Sequence, residues 1–230
     1  TNGILVPPDG YLQGVREICN KHGIVMMCDE VMAGFGRCGE WFAVNKWNVT
    51  PDLICFAKGV NSGYIPLGGV VISQKIADTF RDRVFPGGLT YSGHPLACAA
   101  AVASINIFKE EKIVEHARML GKDVIGPALE KMKAKHPSVG DVRGLGVFWA
   151  IELVKNRETR EPYVPFNASG PDAKPMMDLI VACKERNLWP FTHFNRIHVV
   201  PPCNTPVEDV KTGLAIIDEV LDIADKHCKN

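Results

Sequence analysis

Two apolar runs, each closed by a charge, decide how this chain folds: Ile24-Val25-Met26-Met27-Cys28-Asp29 and Leu53-Ile54-Cys55-Phe56-Ala57-Lys58-Gly59. The 29 residues from Asp29 to Lys58 match the length of one strand-crossover-strand unit. Such a crossover joins neighbouring parallel strands. Both charges then fall at carboxyl ends, where open α/β sheets bind their ligands.

A lysine at the end of a buried strand is costly unless it is paired, neutralised or covalently used. Desolvation lowers an amine's pKa and makes it a better nucleophile towards carbonyl compounds, whereas a nearby carboxylate works the other way. A useful arrangement therefore has both groups touching one cofactor at different atoms. Pyridoxal 5'-phosphate fits, because its aldehyde condenses with a lysine and its pyridinium nitrogen wants a carboxylate. Spacing alone leaves a buried Lys-Asp ion pair without chemistry equally open.

The neighbouring residues extend the pattern. Asp29-Glu30-Val31, Gly34-Phe35-Gly36-Arg37-Cys38-Gly39, Pro51-Asp52-Leu53-Ile54, Ala57-Lys58-Gly59 and Thr90-Tyr91-Ser92-Gly93-His94-Pro95 together resemble the signature of class III aminotransferases, fold-type-I pyridoxal phosphate enzymes. The resemblance implies an α/β fold, with a partial, mostly parallel large-domain sheet and a C-terminal α+β small domain. It implies that Lys58 forms the internal aldimine, Asp29 holds the pyridine nitrogen protonated and Val31 packs on the ring. Thr90 would reach the phosphate of a neighbouring subunit's cofactor, which makes a homodimer the expected assembly. From the residues alone, a hydroxyl in the glycine-rich turn Gly87-Gly88-Leu89-Thr90 suits an anion or bonds its own backbone, and plain core packing is the other reading of Val31. The resemblance covers only the later part of such a subunit. The glycine/serine phosphate loop and the ring-stacking aromatic of the family have no counterpart, so a truncated, proteolysed or split polypeptide is expected.

Gly34, Gly36 and Gly39 also spell G-x-G-x-x-G after a strand, the mark of a dinucleotide site. That fingerprint needs a helix to open inside the glycine run and an acidic residue to close a second strand. Here the next strand ends in Lys58, so the glycines are expected to turn the chain beside the cofactor pocket.

Composition narrows the partners. The chain has 230 residues, 46% of them hydrophobic, and 26 basic residues balance 26 acidic ones. A packed core is feasible, and no electrostatic footprint for nucleic acid or an anionic membrane exists. Small amine and keto acid substrates are the expected partners. None of the eight cysteines forms C-x-x-C, and Cys28, Cys55 and Cys98 lie in apolar runs. They read as reduced core thiols of a cytoplasmic protein, with no metal site. No stretch reaches transmembrane length and no signal-peptide pattern opens the chain.

The expected domains are 1-105, a partial cofactor-binding large domain, and 106-230, a small α+β domain. Within the first, Asp9 is placed to cap a helix bearing Leu12, Val15, Ile18 and Cys19, and strands are expected at 24-29, 52-57 and 68-72. Helices are expected from Leu96 towards Phe108 and over Ile113 to Lys135. A strand then begins at Asp141 and runs through Phe148 and Glu152. Residues 155 to 175 read as a surface excursion. A helix at 172 to 186 and a strand at 197 to 200 follow, and Thr205-Pro206-Val207-Glu208 reads as a capping box opening the last helix, with Val210, Leu214, Ile217, Leu221 and Ala224 as its apolar stripe.

Many ω-amino-acid members of the family place a carboxylate-holding arginine ten positions before the strand-ending Pro-Pro. That position here is Phe191, which leaves Arg196 as the candidate substrate residue; a solvated side chain between His193 and His198 is its other reading. The implied reaction is ping-pong transamination, in which an ω-amino acid, a taurine-like sulfonate or another primary amine gives its amino group to a keto acid such as pyruvate. Alternatives are an aminomutase or racemase on the same site, or an inactive fragment or binding remnant.

Overall fold

The computed structural model describes residues 3-228. They divide into two compact units, one of residues 7-116 and one of residues 117 onward together with the described residues 3-6.

The first unit opens with α1 (Tyr11–His22), whose N-cap is Gly10 at φ 82° with no side-chain bond, so Asp9 does not cap it. Gly23, at φ 65°, closes the helix and donates its N–H to the Cys19 carbonyl, the glycine stop that left-handed backbone favours. Leu12, Val15 and Cys19 pack with Met26, Trp47 and Val49, while Ile18 points to solvent. Three strands follow: β1 (Met27–Asp29), β2 (Leu53–Phe56) and β3 (Gly69–Ile72), in the order β1-β2-β3. The β1-β2 pair is parallel, with Met27 opposite Leu53 and Asp29 opposite Cys55. The β2-β3 pair is antiparallel. This is therefore an α/β arrangement whose sheet is mixed. β1 starts later than residue 24 because Asp52 holds Met26: its carboxylate accepts the Met26 N–H at 2.8 Å, and the Asp52 and Leu53 N–H groups donate to the Met26 carbonyl.

The apolar runs that make these strands are only partly covered. Met27 is 60% exposed, and the successive residues Val70, Val71 and Ile72 are 53%, 49% and 45% exposed. Since successive strand residues point to opposite faces, β3 has both faces open to solvent. A short helix, α2 (Gln74–Asp78), and the alanine-rich α3 (Pro95–Glu110) complete the unit, with Pro95 in the first turn where its missing N–H costs nothing. The expected division near residue 105 lies inside α3.

The division between the units falls within α4 (Ile113–Met119), which runs through a π-helical turn, Leu120–Ile125, into α5 (Gly126–Lys135). The single helix expected over this span is interrupted just before Pro127, which has no N–H to continue the α-helical ladder. A hairpin follows, β4 (Val139–Leu145) and β5 (Phe148–Asn156), with Leu145 opposite Phe148 across Gly146-Val147. The expected single strand from Asp141 is thus two strands. The excursion at 155-175 contains β6 (Glu161–Pro162), paired with β5, and a fully buried Tyr163. After α6 (Lys174–Glu185) come β7 (Phe191–His193), β8 (Arg196–Val199) and α7 (Val207–Asp225), and the sheet order is β4-β5-β8-β7, antiparallel throughout.

One face of this sheet is the core. Val142, Ile151 and Ile197 bury themselves with Leu129, Leu179 and the α7 stripe Val210, Leu214, Ile217, Leu221 and Ala224. The opposite face carries two rows fixed by register: Asp141, Glu152, Arg196 and His193, then Arg143, Ala150, His198 and Phe191. Arg143 ties the rows together, bonding Asp141 at 2.9 Å, Glu152 at 2.7 Å and the Gly3 carbonyl at 3.0 Å. Among the described residues no helix is long and apolar enough to cross a membrane. All eight cysteines are free thiols; Cys19 and Cys183 are buried, but Cys98 is exposed rather than in a core.

Candidate active site

β1 and β2 run side by side in the same direction, so their carboxyl ends lie at one edge of the sheet. Asp29 is the last residue of β1, and Lys58 follows the end of β2 by two residues, opening a 3-10 turn, Lys58–Asn61. The crossover thus brings the two charges to neighbouring strand ends, as their spacing predicts. Both are exposed. The expected burial of Lys58 does not hold within this chain because the sheet around it is so thinly covered.

Local geometry fixes each side chain. Asp29 Oδ1 accepts the Val31 N–H at 2.9 Å, an Asx turn that starts the loop after β1. Lys58 has φ 44°, left-handed backbone that costs a side-chain-bearing residue about 1–3 kcal/mol and is found where function demands a fixed geometry. Asn61, buried in the same turn, donates to the Ile65 carbonyl at 2.6 Å and accepts the Gly63 N–H at 3.2 Å. Val31 is half-buried beside Asp29.

Glu30 was not singled out by the sequence, yet it is the most enclosed carboxylate of this region, 3% exposed. Its N–H donates to the Cys55 carbonyl at 2.8 Å, and its two carboxylate oxygens accept the Ala43 and Val44 N–H groups, each at 2.9 Å. Burial pushes its carboxyl above the usual range, opposed by those two bonds. The only sequence signal was an acidic residue at a strand end ahead of a helical turn, Ala43–Trp47, whose first N–H groups need acceptors. The glycine run between them does not open a helix. The Gly39 N–H donates to the Gly36 carbonyl, and the Gly36 N–H donates to the Glu40 carbonyl. The run folds back as a turn, which removes the dinucleotide reading.

Thr90 lies in an exposed turn, where the Ser92 N–H donates to the Leu89 carbonyl at 2.9 Å. Its hydroxyl makes no hydrogen bond among the described residues. In the second unit, Arg196 is half-buried on the polar sheet face, 5.4 Å over the Phe194 ring and 3.4 Å from His193 Nδ1. His198 stands beside it, 5% exposed, with Nε2 lacking a partner. Desolvation, and then the charges of Arg196 and His193, pull its pKa down to about 4. His193 and His198 share this face. The one ligand-like group among the described residues is elsewhere: His136, Asp222 and Asp225. There the ring nitrogens are already taken, Nδ1 by Asp225 at 2.7 Å and Nε2 by Asp218 at 3.0 Å.

A carboxylate and a primary amine at adjacent strand ends form a donor set suited to a cofactor that carries an aldehyde and a basic ring nitrogen. Comparison with known proteins points the same way. Residues 1–221 match the family profile described as Aminotransferase class-III. The chain is 47% identical over 165 residues to a putrescine--pyruvate aminotransferase of Pseudomonas aeruginosa, covering 70% of this chain and 35% of that protein. It is 43% identical over 166 residues to a taurine--pyruvate aminotransferase of Bilophila wadsworthia, covering 70% and 36%. Among solved structures, a taurine:2-oxoglutarate aminotransferase from Bifidobacterium kashiwanohense, in complex with PLP and glutamate, superposes with a TM-score of 0.91 at 43% identity. That match covers 98% of this chain and 50% of the other, so the chain spans half or less of the length of these relatives.

Proposed function

Because the chain belongs to the class-III aminotransferases, we propose that it carries the lysine and aspartate of a pyridoxal 5'-phosphate site that moves an amino group from a primary amine to a keto acid such as pyruvate. The observation that supports this most is the placement of Asp29 and Lys58 at neighbouring carboxyl ends of parallel strands. When bound, the cofactor supplies an aldehyde for amine exchange and a ring that accepts electrons from the donor carbon.

The chain's own residues then divide the work. The Asp29 carboxylate accepts a hydrogen bond from the ring nitrogen and keeps a proton there. The Lys58 amine would hold the cofactor's aldehyde carbon and, when free, its Nζ would serve as general base and acid. Val31 packs on one ring face. The Thr90 hydroxyl would hold a phosphate oxygen of a neighbouring subunit's cofactor, the role that a homodimer would give it. The Arg196 guanidinium holds the acid end of the donor. A taurine-like sulfonate or another primary amine is the favoured donor, since the relatives are named for taurine and putrescine.

The test is to incubate the chain with pyridoxal 5'-phosphate, reduce with borohydride and map the adduct by peptide mass spectrometry. A single dominant adduct at Lys58, lost in Lys58→Ala, is expected. Its absence would sink the cofactor site. An adduct without amino transfer to pyruvate from any amine would instead make the chain a binding remnant.

A further inference from the structure

The segment between β1 and the helical turn at Ala43 does more than connect them. Phe35, inside this segment, is buried, has φ 54° and donates its N–H to the Trp41 carbonyl at 2.6 Å. Its ring sits edge-on to Phe42 at 5.5 Å and to Phe56, the last residue of β2, at 5.9 Å. Its Cβ faces Gly59 so closely that a Cβ on Gly59 would stand 2.7 Å away. Phe35 thus packs on the Phe56 ring ahead of Lys58 and close against the Gly59 backbone just after it. What holds the wedge is Glu30, whose buried carboxylate fixes the far end of the segment through Ala43 and Val44.

We propose that Glu30 is a positioning residue for Lys58: its carboxylate clamps the 31-42 segment shut, and the segment's Phe35 presses on Gly59 and holds Lys58 in its left-handed conformation. The inference rests on the reading of Lys58 as the cofactor lysine, and it assigns the cause of that lysine's backbone geometry to a group that never touches the cofactor. Two charge-assisted bonds to backbone N–H groups, the one to Val44 buried and the one to Ala43 part-buried, are strong enough for the task, and removing the first leaves an enclosed donor unpaired. Gly59 is the second requirement, since no other residue admits Phe35 at this distance.

The whole chain, its Glu30→Gln and its Gly59→Ala variants are incubated with pyridoxal 5'-phosphate and reduced. Adduct formation at Lys58 is then measured relative to the exposed lysines Lys75 and Lys109 in the same samples. Circular dichroism checks that each variant is folded, and Lys75 and Lys109 control for general reactivity, which a merely structural role would leave in step with Lys58. The expected result is a fall of about tenfold or more in the Lys58 ratio for each variant, since misplacing a reacting group by an ångström costs rates of this order. The double variant should be no worse than either single one, because both release the same wedge. If Glu30→Gln fails to fold, Gly59→Ala, which leaves the clamp intact, decides. A Lys58 ratio within about twofold of the unsubstituted chain overturns the positioning role alone. No preference for Lys58 in the unsubstituted chain overturns the cofactor reading, and this inference with it.

Discussion

Replacing His198 by leucine should flatten the acid side of the stability profile. His198 is buried with its Nε2 unpartnered, and burial, followed by the charges of Arg196 and His193, lowers its pKa from 6.5 to about 4. A histidine depressed in the folded state stays neutral there while the unfolded chain takes up a proton below its ordinary pKa. The resulting stability is complete above about pH 6.5 and is lost as pH falls from there towards 4, at about 1.4 kcal/mol per pH unit. Over the whole window the loss is about 3.4 kcal/mol, and between pH 7 and pH 4.5 it is about 2.4 kcal/mol. Asp218 and Asp141 are held below the ordinary carboxylate range, with salt-bridge hydrogen bonds outweighing burial. Their contribution is also lost in acid, but it is the same in both proteins. Urea unfolding at pH 7 and pH 4.5 for the two proteins isolates the His198 part as a difference of differences. At pH 7 the variant should be within about 1 kcal/mol of the parent, since an unpartnered ring nitrogen gives up no hydrogen bond on removal. Equal acid losses in the two proteins would refute the reasoning.

Asp225→Ala should destabilise the chain by about 2–4 kcal/mol in urea unfolding, because it strips Ser138 and the buried His136 ring of their shared acceptor. Tyr163→Phe should leave stability unchanged or raise it by up to about 1 kcal/mol in the same assay, since the hydroxyl is buried without a partner and burial already drives its pKa far up. Arg196→Gln should raise KM for taurine about tenfold in coupled assays of the active assembly and leave KM for putrescine unchanged, because only taurine carries an acid group.

What the sequence revealed was the part governed by local pattern. The two apolar runs ending in Asp29 and Lys58 mark parallel strands because their separation is the length of one crossover. The stripe on α7 was legible because 3.6-residue periodicity leaves few alternatives. What failed depended on competition between partners. Thr205 has the pattern of a cap, but Pro206 is itself the N-cap at ψ 146°, and the Thr205 hydroxyl donates back to the Pro202 carbonyl at 2.8 Å. The hairpin at Gly146 leaves no mark in the sequence because Leu145 and Phe148 both continue an apolar pattern, while the φ of 53° at Gly146 helps reverse the chain. Tyr163 looked like surface because its polar, proline-rich neighbours hide the backbone bond from its N–H to the Leu153 carbonyl, 3.1 Å, that draws it inward. Glu30 and Phe35 carry no periodic signal at all, since the groups that fix them, Ala43 and Val44 for one and Phe56 for the other, lie more than ten residues away in the chain.

The open sheet of the first unit also sets how the polypeptide behaves in a test tube. Among the described residues its outer strands, β1 and β3, offer unpaired backbone and uncovered valine, isoleucine and methionine, the features through which strands of separate molecules join. The sequence has a pI near 7.0 and no net charge at neutrality, so no colloidal repulsion opposes that joining. Purified on its own near neutral pH, the chain should cloud with rising concentration, and moving the buffer away from the isoelectric point should clear it.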